Sequence, residues 1–145
     1  MFTRLGAMLV FSLALSLPAQ AEQKVQVGDY AIHYVSFGST FIPPSIAKNY
    51  DITRSRYIGL VNIMVKDTSQ DKVGTALSAE ITGYAQNLLG SQKNLRFKEI
   101  REGDAIYYIA EIEHRNEETF TFSIDINNGT DLDTNLQFEQ KFYVD

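Results

Sequence analysis

The stretch Thr119-Phe120-Thr121-Phe122-Ser123-Ile124-Asp125-Ile126-Asn127 alternates polar and apolar side chains without a break. A two-residue period belongs to a β-strand with one dry and one wet face, because a helix would place its apolar residues three and four apart. Upstream, Ile106, Tyr108, Ala110 and Ile112 alternate with Tyr107, Ile109, Glu111 and Glu113. Turn residues Glu102-Gly103-Asp104 precede that run and the polar segment 115–118 follows it, so the pattern predicts two adjacent hairpins. Downstream, Asn128-Gly129 suits a tight turn with positive φ, and alternation resumes at Leu136, Phe138, Phe142 and Val144, with Gln140 interrupting the apolar face.

Working further outward, strands are expected over 28–37, over the β-branched and aromatic run 57–66, and over 73–84, where Val73, Leu77, Ala79 and Ile81 share a face. Leu95, Phe97 and Ile100 suggest a shorter, charged strand. About seven strands, regular turn signals and no sustained helical pattern predict an all-β fold, an immunoglobulin-like antiparallel β-sandwich. A small closed barrel is the competing architecture. The exception is 41–51, where Pro44 at a first helical position would start one short helical turn.

Residues 1–21 read as a signal peptide: Arg4, then an uncharged apolar run from Leu5 to Leu17, then Pro18-Ala19-Gln20-Ala21 with small residues at the cleavage positions. The run is shorter than the roughly 20 residues a membrane-spanning helix needs. A mature domain over 22–145, periplasmic and without a transmembrane anchor, is the expectation. The formal net charge is −5, and loss of Arg4 makes it one unit more negative. An acidic chain argues against nucleic acid, whose affinity comes from clustered Lys and Arg. The chain has no cysteine, which excludes disulfides, thiol catalysis, thiolate metal sites and a lipid-anchored amino-terminal Cys.

The run from Val35 to Val65 carries a resemblance. Its elements are the lead Phe37-Gly38-Ser39-Thr40-Phe41, the Pro44-x-x-Ala47-x-x-Tyr50 step, the Ile52-x-Arg54-Ser55 step and the strand bearing Asn62. Together they resemble a proteobacterial family of secreted proteins that carries only the label domain of unknown function 4426. The resemblance extends over the mature chain and implies a small envelope protein, with no catalytic residues to carry over. Within this segment two readings stand. In one, the prolines force a crossover between sheets, Ile46 and Tyr50 plug the end of the sandwich, and Arg54 binds carbonyls or a carboxylate. In the other, Tyr50, Arg54 and Arg56 present aromatic and guanidinium groups to a partner.

Other candidates are weaker. His33 and His114 lack metal-ligand spacing, and His114 meets a polar turn where exposure is easy. Asp125-x-Asn127-x-Gly129-x-Asp131-x-Asp133 departs from an EF-hand at its fifth, sixth and twelfth positions, leaving weak calcium binding as an alternative to a solvated loop. Ser39 is no nucleophile elbow and reads as a turn residue. Glu111 and Glu113 share a face that reads as a charged edge, and Tyr107 with Tyr143 could form an outward patch. No cofactor is expected. The sequence points to a non-catalytic binding or accessory module for an envelope protein or component. The alternatives are a small hydrolase using paired carboxylates, or a subunit that adds an edge strand to an assembly.

Overall fold

The computed structural model describes residues 22–144. The signal peptide expected over 1–21 lies outside the described residues. The chain forms β1 (Gln23–Val27), β2 (Tyr30–Gly38), a 3-10 turn (Ser39–Phe41), α1 (Pro44–Asn49), β3 (Ile58–Asp67), β4 (Thr75–Ala76), β5 (Glu80–Asn87), β6 (Gln92–Leu95), β7 (Lys98–Glu102), β8 (Ala105–Glu113), β9 (Glu118–Asn127) and β10 (Asp133–Phe142). Pro44 opens the short helix at its first position, where its missing N–H costs nothing.

These strands make an antiparallel β-sandwich of immunoglobulin-like type. The first sheet has the order β1-β2-β3-β8-β7, with β4 paired to the end of β3, and the second has the order β10-β9-β5-β6. The alternation that decides the fold is what fills the space between them. Phe120, Phe122, Ile124 and Ile126 of β9 are fully buried and meet Ile32, Val61, Ile63, Val65, Tyr108 and Ala110 of the first sheet. The large buried aliphatic and aromatic side chains each contribute roughly 1.5–3 kcal/mol by leaving water, enough for a domain that has no disulfides.

Several sequence expectations need correction. Ten strands stand among the described residues where about seven were expected, because two apparent units each divide and β1 (Gln23–Val27) precedes the first strand expected. The run 73–84 breaks at Leu77, whose N–H bonds Val65 carbonyl oxygen, so β4 stays in the first sheet and β5 enters the second. The run 95–100 also breaks, with β6 in the second sheet and β7 in the first. Segment 115–118 is a passage between sheets, since β8 pairs with β3 and β7 while β9 pairs with β10 and β5. Glu117 makes the bend at a φ of 58°. Alternation reports that a strand has a dry face but not which sheet supplies its neighbours. β8 is an interior strand over 105–109, but it runs on past the end of β7, so Glu111 and Glu113 lie where its side away from β3 has no partner strand.

Segment 39–57 joins β2 and β3, which are neighbours in one sheet, so it is no crossover. It folds back over the outer face of that sheet and builds a second apolar cluster there. Ala47, Ile52, Leu60 and Ile100 are buried in it, with Phe37, Ile42, Tyr50, Tyr107 and Ile109 packed against them. Tyr107 is therefore covered, while Tyr143 is exposed at the end of the other sheet, and the two do not make one patch.

Candidate functional site

Of the three residues expected to face a partner, two are engaged within the chain. Arg54 Nε donates to the Ile42 carbonyl at 2.7 Å and its Nη2 to the Thr40 carbonyl at 3.1 Å, which pins the loop to itself. Tyr50 donates its hydroxyl to Glu102 Oε2 at 2.5 Å, and this carboxylate beside it pushes the phenol pKa up. Its carbonyl and that of Asp51 accept from Lys98 Nζ at 3.0 and 2.7 Å. Ser39 is fully buried, accepting from Ser55 N–H at 2.8 Å and donating to Ser55 carbonyl oxygen at 2.9 Å, so it locks both ends of the segment together. Arg56 is exposed, and its neighbours Ser55 and Tyr57 line a cleft at one end of the sandwich.

That cleft, of about 780 Å³, lies where the sheets part. Its walls are the start of β3 with Tyr57, the β5–β6 turn with Leu88 and Leu89, and the β8–β9 passage from Glu113 to Glu118. Its volume falls in the range of about 300–1,000 Å³ usual for binding pockets. The β5–β6 turn is rigidly built: Asn87 Oδ1 accepts from the N–H groups of Leu89 at 3.1 Å and Ser91 at 2.9 Å, and Gly90 sits at a φ of 88°. Asn87 Nδ2 in turn donates to Glu118 Oε2 at 3.0 Å, while Arg115 N–H donates to Glu118 Oε1 at 2.8 Å. Burial pushes the Glu118 pKa up, but these donors outweigh it and hold the carboxyl below its usual range. Glu118 is thus a fixed anion that ties the turn to the passage.

At the floor of the cleft His114 is buried, against the exposure expected for it. Its ring stacks on Phe142 at 4.9 Å, and Nδ1 lies 2.9 Å from the Arg115 carbonyl. A carbonyl only accepts, so Nδ1 carries the proton. Phe142 itself fits because Gly59 faces it: a Cβ there would approach the ring to 2.3 Å. Burial of His114 follows from a partner 28 residues away in the second sheet, which local sequence does not reveal. His33, half-buried on β2, meets Glu22 Oε1 at 2.9 Å and faces Met64 across the β2–β3 pair. The two histidines lie on opposite faces of the first sheet.

Around this polar frame the cleft is apolar and charged at its rim. Leu88 and Leu89 are 79% and 93% exposed, Tyr57 is 56% exposed, and Arg115, Glu113 and Glu117 are exposed beside them. Lys93 Nζ donates to the Glu113 carbonyl at 2.8 Å. Glu118 and His114 Nδ1 are engaged in holding the turn and the passage. Strand alternation does not single out the leucine pair. The signal was present, since Leu88-Leu89 occupy turn positions before Gly90-Ser91 where polar residues are usual.

At the other end, the calcium-like spacing has a different explanation. Asn127 Oδ1 accepts from Gly129 N–H, Asn128 Oδ1 from Thr130 and Leu132 N–H, and Asp131 Oδ1 from Tyr30 hydroxyl at 2.5 Å. The side-chain oxygens serve the loop itself. Among the described residues no group of three or more His, Cys, Asp or Glu side chains is placed to hold a metal ion.

The family model for the domain of unknown function DUF4426 matches residues 24–145. The chain belongs to the DUF4426 family. A crystal structure of a DUF4426 family protein, PA0388 from Pseudomonas aeruginosa PAO1, is similar with a TM-score of 0.76 and 27% identity, covering 88% of this chain and 99% of that one. A copper-bound variant of FetP from uropathogenic Escherichia coli strain F11 gives a TM-score of 0.61 at 12% identity, covering 84% and 95%. FetP as isolated after expression in the periplasm gives 0.58 at 13%, covering 85% and 94%. At such identity FetP shares the fold alone. No curated protein matches the chain. No helix among the described residues is long and apolar enough to cross a membrane.

Proposed function

We propose that this DUF4426 protein is a non-catalytic periplasmic binding module that recognises an exposed segment of an envelope protein at the sandwich-end cleft. The observation that carries the reading is the leucine pair: two large apolar side chains held out to solvent on a turn whose Leu89, Gly90 and Ser91 N–H groups all bond to Asn87. Exposed apolar groups on a rigid frame beside charged rim residues are the usual makings of a recognition surface. Tyr57 supplies an aromatic face, and Arg56 and Arg115 supply guanidinium forks at the rim. Tyr50 and Arg54 act in this reading by holding segment 39–57 in place, so that Ser55, Arg56 and Tyr57 are presented from a fixed base. Export rests on residues 1–21 and agrees with the fold shared with FetP. The copper of the FetP variant is not carried over, because the two histidines of this chain lie on opposite faces of a sheet.

The test is photocrosslinking in intact cells from a photoreactive residue at position 89, with a second probe in place of Lys48 on the covering loop. The expected result is reproducible capture of one envelope protein from position 89, lost on Tyr57→Ala or Arg56→Ala while the thermal midpoint holds. Capture from position 48 alone, or none above background at 89, overturns the reading.

A further inference from the structure

Each sheet of a sandwich has two edges, and proteins protect exposed edges with charge, brevity, proline or bulges. β7 reads Lys-Glu-Ile-Arg-Glu, β6 has four residues, and β1 has five and carries Lys24. β10 is different. It runs ten residues in unbroken register along β9, from Asp133 opposite Asn127 to Phe142 opposite Glu118, and among the described residues its other edge is unpaired. It contains no proline and no bulge.

The hydrogen-bond phase shows which groups that edge offers. Asn128 N–H bonds the Leu132 carbonyl, so the alternation of antiparallel pairs turns the backbone of Thr134, Leu136, Phe138, Gln140 and Phe142 towards β9. The N–H and C=O groups of Asp133, Asn135, Gln137, Glu139 and Lys141 face outward. The side chains of those five residues are also exposed, on the outer face of the sheet.

We infer that β10 pairs with β10 of a second copy of this chain, antiparallel about a two-fold axis through Gln137, forming a homodimer. The sequence of the strand is self-complementary in that register. Asp133 falls opposite Lys141, Asn135 opposite Glu139, and on the inner face Leu136 opposite Phe138, each pair occurring twice by symmetry. No like charges face each other, and both charged ends are satisfied. Cross-strand pairs of these kinds are the units that stabilise sheets, and an isologous interface is the commonest route to a dimer. The arrangement fuses the two second sheets into one. It also sends the Phe142 ends in opposite directions, so the two clefts open at opposite poles and a dimer would offer two binding sites. The inference stands independently of what the cleft binds.

The absence of cysteine makes the test clean. On the axis, residues 137 of the two copies are a hydrogen-bonded pair with Cα atoms about 5.5 Å apart, inside the disulfide range of roughly 4.4–6.8 Å. In the purified mature protein, Gln137→Cys should oxidise to a covalent dimer far faster than Thr82→Cys, which is exposed on the interior strand β5. Sedimentation supplies the second arm. Asp133→Lys or Lys141→Asp alone should weaken dimerisation roughly tenfold by setting like charges opposite, and the double variant should restore it. A wild-type chain that sediments as a monomer, equal oxidation at positions 137 and 82, or single variants that associate like wild type would overturn the inference.

Discussion

The two hairpin turns of the second sheet solve the same backbone problem and dispose of their leucines in opposite ways. At β9–β10, Asn128 Oδ1 caps Thr130 and Leu132, Gly129 takes a φ of 84°, and Leu132 is fully buried in the main core. At β5–β6, Asn87 Oδ1 caps Leu89 and Ser91, Gly90 takes a φ of 88°, and Leu88 and Leu89 stand in water. Matching turn chemistry shows that the exposed pair is not a consequence of a disordered tip. The first turn closes the core, and the second displays apolar surface.

The largest contrast is expected from the leucines. Leu132→Ala should cost about 2–5 kcal/mol in urea unfolding, the range for a truncated core leucine. Leu88→Ala and Leu89→Ala should each stay within about 0.5 kcal/mol of wild type, as surface changes do. Next come the capping amides. Asn128→Ala and Asn87→Ala should each lose about 1–3 kcal/mol, two side-chain-to-backbone hydrogen bonds at about 0.5–1.5 kcal/mol each, and Asn87→Ala should additionally release Glu118 and loosen the cleft. A large gap between the two variants would break the equivalence of the turns. Smaller again, Gly129→Ala and Gly90→Ala should each cost about 1–2 kcal/mol and match one another, because each forces an L-residue into left-handed backbone.

The smallest effect is on pH dependence. The Tyr30 hydroxyl, helped by Asn128 and Thr130, holds the Asp131 carboxyl below its usual value, and Asp131 in turn raises the Tyr30 phenol. A depressed carboxyl contributes stability that is present above its unfolded pKa of 3.8 and lost as pH falls through the lower folded value. A raised phenol contributes stability present below its unfolded pKa of 10.0 and lost as pH rises through the higher folded value. Tyr30→Phe should therefore flatten thermal midpoint against pH at both extremes. An unchanged profile would detach the β9–β10 turn from β2.

Much of this fold is legible in the sequence, for reasons that particular residues make plain. The alternation at 119–127 depends only on the local period of the chain, and Asn128-Gly129 depends only on local φ, so both β9 and its turn can be read directly. The sheet changes at Leu77, at Arg96-Phe97 and at 115–118 cannot be, because they depend on partners far along the chain. The same holds for the burial of His114 under Phe142 and for the roof that Ala47 and Ile52 make over Leu60 and Ile100. The site was legible only in part. Segment 39–57 stood out by its prolines, yet Arg54 bonds carbonyls of its own loop, and the cleft takes its apolar wall from a leucine pair that alternation alone does not distinguish from strand.

The most direct measurement takes one variant, Leu88→Ser/Leu89→Ser, and follows both its thermal midpoint and its capture by the photoreactive probe, moved to the exposed, cleft-lining position 116. The account predicts a midpoint within about 3 °C of wild type and loss of the captured envelope protein. A midpoint lowered as far as that of Leu132→Ala, or capture that persists, would contradict it.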